Sequence, residues 1–190
     1  MVSREVDIRN AKLMGGIGAI LEIAGGFIPY LGSVLLLAGL VLELLALKKI
    51  SDETGKPTIY KDFFASVIFA AIWSIFYSLS IIIEVFGSIP YMLRGSPSKG
   101  FEALHSLVFI IFGLIALGGL PIGAYFLRRS FNTTAEVTGE ASFKTAATLI
   151  FYGAIFLIIL VGGLLIFIGK IAEIVAFFSL PDRLEVSASS

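Results

Sequence analysis

Cysteine is absent from the 190 residues. Its absence excludes disulfides, thiolate metal sites and cysteine nucleophiles together, and leaves the redox compartment unread. Glutamine is absent too, and asparagine occurs only as Asn10 and Asn132. That depletion fits a thermophilic source, where labile amides are disfavoured, and fits equally the low polar content of a membrane chain. Histidine occurs once, as His105, so no His-rich metal site can be assembled; it is either a plain interfacial histidine or one that titrates beside Glu102. Charge is sparse: Asp, Glu, Lys and Arg make up 15% of the residues, and fourteen cations balance fourteen anions. Such neutrality offers no basic surface to a nucleic acid. Catalytic patterns are missing as well, with no H-E-x-x-H, no G-x-S-x-G, no P-loop and no pair of membrane aspartates. The chain is therefore expected to be no enzyme and to need neither cofactor nor metal.

What is present is apolar. Hydrophobic residues supply 57% of the chain and the mean hydropathy is +0.99, the pattern of an all-α integral membrane protein, a helical bundle in one domain over residues 1–190. Four apolar blocks are separated by polar stretches too short to hold cores of their own. The first, Leu13 to Leu47, would make a straight helix of about 50 Å, well beyond a hydrocarbon core of about 30 Å. It must fold back at Pro29, with Gly32 supplying the positive-φ turn, which predicts an N-terminal hairpin of residues 12–29 and 33–48. Further spans are expected at 63–89, 103–127 and 145–168, the last continuing as an interfacial helix over 169–180. Loops are expected at Lys48–Lys61, at Tyr91–Gly100 and at Ser130–Lys144, with Arg128 and Arg129 stopping the fourth span. The total is about five spans. Six is the alternative if the last block turns back, and five is preferred because no proline divides Thr145–Gly169.

With the N-terminus cytoplasmic, the inner segments hold ten Lys and Arg and the outer ones before the last helix only Arg94 and Lys99, so the positive-inside rule places a multi-pass chain in the cell membrane with its N-terminus in the cytoplasm. Gly25-Gly26-x5-Gly32 echoes Gly162-Gly163-x5-Gly169, a weak hint of related hairpins at the two ends.

Glu22 and Glu43 are the candidate proton or cation site. A carboxylate inside a span is costly unless paired, protonated or wet, and both lie on faces of small residues, Glu22 among Gly15, Gly18, Gly25 and Gly26, Glu43 beside Gly39. Folding the hairpin brings them to similar depth. Either they share a proton or flank a cation, or they are hydrogen-bonded packing groups. Gly119 and Gly123, around Pro121, are expected to form a packing seam or a gating kink. Glu84, Lys170 and Glu173 sit near outer helix ends, where snorkelling and an i, i+3 pair account for them. Asp62 and Glu102 suit the positive ends of helix dipoles. The Asn132-Thr133-Thr134 sequon falls in a predicted cytoplasmic loop and is discounted.

The segments Gly15-Gly16-Ile17-Gly18-Ala19-Ile20, Ile28-Pro29-Tyr30-Leu31-Gly32 and Leu45-Ala46-Leu47-Lys48-Lys49-Ile50-Ser51-Asp52, with the ending Ile171 to Pro181, resemble the archaeal multi-pass family known as domain of unknown function 996. The likeness covers nearly the whole chain through apolar motifs, and implies an archaeal integral membrane protein with no catalytic residues to carry over. Two functions stay open. One is a structural or accessory subunit, packing through small-residue helix faces in the lipid bilayer as a homo-oligomer or part of a larger complex. The other is a small oligomeric transporter or channel for protons, cations or a cationic solute.

Overall fold

The computed structural model describes residues 3–94, 99–157 and 159–187, with side chains throughout except at 3, 88, 90–105, 116–117, 160 and 187. Six helices are bracketed by two short strands: β1 (Ser3–Asp7), α1 (Arg9–Phe27), α2 (Gly32–Thr54), α3 (Pro57–Arg94), α4 (Lys99–Thr138), α5 (Ser142–Ile155), α6 (Leu160–Ser179) and β2 (Arg183–Ser187). Contacts divide the chain into two compact units, residues 1–66 with 124–190, and residues 67–123.

In the first unit, α1 and α2 form the expected hairpin, but its turn is built differently. The positive φ falls on Tyr30, at 64°, while Gly32 already begins α2. Gly32 is needed for closeness instead, because a Cβ there would collide with the Gly25 carbonyl across the turn. The last apolar block also turns back. α5 ends at Ile155 and α6 starts at Leu160, with the Phe156 and Ile159 amides bonding the Tyr152 and Phe156 carbonyls. The continuous 145–168 span and the separate interfacial helix are therefore replaced by a hairpin. Glycine does here what proline was expected to do: a Cβ on Gly153 would lie 2.9 Å from the Gly162 carbonyl, and one on Gly162 would collide with Phe156. At 14 residues, α5 is only about 21 Å long. The glycine echo is not a structural repeat, since the first turn falls inside Gly25-Gly26-x5-Gly32 and the second precedes Gly162.

Two expected loops are largely helical. α2 runs to Thr54 and ends at Gly55, left-handed with φ 66°, and α4 runs to Thr138 before Gly139, φ 75°. Glycine tolerates that conformation without steric cost, which is why each helix stops there. Arg128 and Arg129 do not stop α4. Arg128 lies 5.0 Å over the Phe151 ring, and Arg129 pairs with Asp62 at 3.2 Å, so Asp62 answers a cation rather than a helix dipole. Beyond them the polar stretch stays helical because its hydroxyls bond inward: Thr134 and Thr138 donate one turn back, and Ser130 donates to the Ile59 carbonyl at 2.7 Å. Phe131 then anchors the extension. It meets Phe143 edge-on at 5.4 Å and Phe177 at 6.4 Å, while Phe143 and Phe177 are 5.1 Å apart, and all three rings are fully buried. Burial of rings in this offset geometry is among the strongest apolar contributions to a core.

β1 and β2 pair antiparallel in the register Ser3↔Ser187 to Asp7↔Arg183, extended by the Ile8 amide on the Asp182 carbonyl at 3.0 Å. The two terminal segments therefore lie side by side.

In the second unit, α3 and α4 residues meet through Phe76 and Phe112, ring centroids 5.3 Å apart, with Gly119 beside Trp73. Among the described residues three helices are long and apolar enough to cross a membrane: Pro57–Gly87, Ser106–Thr138 and Val161–Phe178. In the first of these only 11% of the apolar window is buried within the chain, so its apolar surface faces outward. α1 and α2, both expected as spans, are not among the three.

Candidate functional site

Three glutamates and one lysine converge where α1, α2 and α6 meet. Lys170 Nζ lies 2.6 Å from Glu22 Oε2, 2.9 Å from Glu173 Oε2 and 3.8 Å from Glu43 Oε1. Only the contact with Glu22 is an aligned hydrogen bond. Glu22 Oε1 and both oxygens of Glu43 and of Glu173 are buried without a hydrogen-bond partner. The Glu43 and Glu173 side chains are 1% and 0% exposed, against 13% for Glu22 and 22% for Lys170.

Local sequence explains how bulky carboxylates fit between packed helices. Glu22, Glu43 and Glu173 each stand four residues after a glycine, namely Gly18, Gly39 and Gly169, and positions i and i+4 share a helix face. Across α1 and α2 the arrangement is reciprocal. A Cβ on Gly18 would lie 2.7 Å from the Gly39 carbonyl and 3.0 Å from Glu43 Cγ, and one on Gly39 would lie 2.9 Å from Glu22 Cγ. Each glycine thus makes room for the other helix's carboxylate arm. On α6, a Cβ on Gly169 would lie 2.6 Å from Ile150 Cγ1.

Glu22 and Glu43 are therefore brought together, and by a residue assigned elsewhere from sequence. Lys170 and Glu173 keep their i, i+3 contact, but they occupy the middle and inner face of α6 rather than an outer end, because the Phe156–Ile159 turn reverses the chain. Gly15, Gly18, Gly25 and Gly39 all face close neighbours; Gly15 abuts the Phe177 ring, and a Cβ on Gly25 would lie 2.7 Å from the Gly32 carbonyl. Gly26 does not pack, since a Cβ there would meet nothing within 4 Å. Gly119 has ordinary clearance, 3.5 Å from Trp73 Cβ to an added Cβ, and Gly123 is buried in α4. Pro121 lies inside α4, and Glu84 lies inside α3 rather than at its end. The side chains of Glu102 and His105 fall outside the described residues.

Glu22 and Lys170 also form the polar end of a cleft of about 290 Å³, walled by Ile23 and Phe27 of α1, Leu36 of α2, and Ile166 and Phe167 of α6. Phe27 and Phe167 meet edge-on at 6.2 Å. Gly26 and Gly163 also line the cleft, and a Cβ on either would meet open space. Among the described residues no group of three or more His, Asp or Glu is arranged to hold a metal ion; amid these carboxylates, the ammonium of Lys170 stands where a cation would sit.

A family model described as "Protein of unknown function (DUF996)" matches residues 35–171. The uncharacterized protein MJ1644 of Methanocaldococcus jannaschii is 34% identical over 184 residues, covering 95% of this chain and 97% of the relative. No solved structure matches the chain.

Proposed function

Because the chain belongs to the DUF996 family, whose description carries no activity, we propose on physical grounds that it is a multi-pass membrane protein with a structural or accessory role and no catalytic one. Its N-terminus is cytoplasmic, and it packs through small-residue helix faces as a homo-oligomer or within a larger membrane complex. The observation that carries this is the Lys170 ammonium among Glu22, Glu43 and Glu173. A buried cation held by carboxylates from three helices cross-ties them, and removing one partner of such a group is far more damaging than replacing all of it. A transport site built on Glu22 and Glu43 has less support, since a travelling cation would have to displace a tethered one at 2.6 Å.

Orientation rests on the basic residues Arg4, Arg9, Lys12, Lys48, Lys49, Lys56 and Lys61 near one end of the α1–α2 hairpin, with none near Tyr30 at the other. Single cysteines are free of background in this chain. With the N-terminus cytoplasmic, Tyr30→Cys labels with an impermeant thiol reagent in intact cells and Lys56→Cys labels only after permeabilisation; the opposite pattern reverses the orientation. For the role itself, purified protein in liposomes is expected to pass protons and monovalent cations no faster than protein-free vesicles. Flux above that background, lost in Glu22→Gln, would establish the transporter instead.

A further inference from the structure

We propose that Arg128 binds the phosphate of an anionic membrane lipid, the head at the guanidinium and the chains along exposed apolar side chains of α4 and α5. Such binding rests on the membrane placement proposed above and is independent of the structural role. Arg128 is held in place without being paired. Its guanidinium carbon stands 5.0 Å from the centre of the Phe151 ring and 5.9 Å from that of Tyr152, both on α5. These contacts fix the side chain and bring no anion to it. Among the described residues Arg128 makes no ion pair and no side-chain hydrogen bond. The residue is half-buried, yet none of its nitrogens is sealed from the surface. Its N–H donors therefore stand open, in the fork geometry that matches two phosphate oxygens at once. The adjacent arginine differs, because Arg129 Nε lies 3.2 Å from Asp62 Oδ2 and its charge is answered within the chain.

The surroundings of Arg128 select a lipid over a dissolved anion. Ile122, Tyr125 and Arg128 recur at a spacing of three and so share one face of α4. Tyr125 and Tyr152 are exposed beside the guanidinium, and tyrosines gather at the level of lipid headgroups. One turn beyond each tyrosine, Ile122 and Ile155 are exposed in turn. On both helices this is the direction away from Asp62, since α4 runs toward that end and α5 runs back from it. A lipid whose phosphate sits at Arg128 thus finds an apolar track leading from the headgroup level toward the bilayer interior. A free phosphate would have one guanidinium and nothing for the rest of its surface. The Arg129–Asp62 pair also sets Arg128 at the end of α3 that bears Lys61, the side proposed to be cytoplasmic, where anionic lipids concentrate and basic pockets between helices take their heads. A zwitterionic head brings its own cation and leaves the charge of Arg128 unbalanced.

The test reads lipid at one place on the full-length protein. The chain has no cysteine of its own, so a fluorophore is attached at Ile155→Cys, or for comparison at Ile82→Cys on the exposed face of α3, and quenched by phosphatidylglycerol or phosphatidylcholine brominated in the chains. At position 155 phosphatidylglycerol is expected to be favoured about fivefold, the worth of one cation near a charged surface, and at position 82 the two lipids should quench alike. Arg128→Gln should abolish the preference at 155. Arg128→Lys, which keeps the charge and loses the fork, should show a clearly smaller one, and decides the matter if Arg128→Gln does not reconstitute. Lys61→Gln removes the same charge from an exposed position without rings and should leave the preference intact. Equal quenching by both lipids at 155, a full preference in either Arg128 variant, or an equal loss in Lys61→Gln would overturn the proposal. Inorganic phosphate should displace no more lipid than sodium chloride of the same ionic strength; greater displacement would assign the site to a free anion instead. Quenching by neither lipid at either position would overturn the membrane placement itself, and the lipid site with it, whereas quenching without preference leaves that placement standing.

Discussion

Lys170→Met keeps the length and apolar stem of the side chain but removes the charge, leaving Glu22, Glu43 and Glu173 buried without their cation. Breaking a buried ion group in this way costs about 3–5 kcal/mol, and we expect a correspondingly large fall in melting temperature of the detergent-solubilised protein; a fall no larger than that of a surface substitution would show that Lys170 does not cross-tie the helices. Gly18→Leu should also destabilise strongly, because its Cβ would approach the Gly39 carbonyl to 2.7 Å, whereas Gly26→Ala, with nothing within 4 Å, should change little. Unfolding midpoints of the two variants side by side test that contrast. Glu22 and Glu43 were legible because a carboxylate in an apolar run is conspicuous and helical spacing shows its face. Lys170 was not, since an i, i+3 partner explained it locally and nothing in single-helix periodicity says which distant helix it meets. One signal was present and unused: of all the glutamates, only Glu22, Glu43 and Glu173 follow a glycine by four residues.

Helix ends depend on contacts that composition does not display. The stretch after Arg129 looks like a loop by polarity, yet Phe131 sits fully buried against Phe143 and Phe177, and that packing holds the last turns of α4. Phe131→Ala should cost about 3–5 kcal/mol. It should also release amide protection over residues 130–138 in hydrogen exchange before the rest of α4, while Phe64→Ala, at an exposed position, should do neither. The α1–α2 hairpin was legible because Pro29 and Gly32 interrupt a run too long for one span. The α5–α6 hairpin was not, because its turn is made by close approach of Gly153 and Gly162, and glycines in membrane helices serve packing as often as turning. The second and fourth helices read several residues short from sequence, since Gly55 and Gly139, not the first charged residues, terminate them.

For the molecule as a whole, the pairing of β1 with β2 makes a checkable link between segments at opposite ends of the chain. Glu5 and Glu185 are direct partners and like charges so placed repel; cysteines at both positions should oxidise to an intramolecular disulfide and raise the melting temperature, since the bond closes a loop of nearly the whole chain. Failure to form it under mild oxidation would contradict the register. The same closure bears on how the protein is made. Lys170 lies 148 residues after Glu22, and β2 is later still, so a chain emerging from the ribosome completes α1 and α2 long before their counter-charge exists. Until α6 arrives, both glutamates must be held by protons, by water at the membrane surface or by the insertion machinery. Assembly is therefore posted late, and a chain truncated after α5 should be cleared by membrane proteases although five of its six helices have been synthesised.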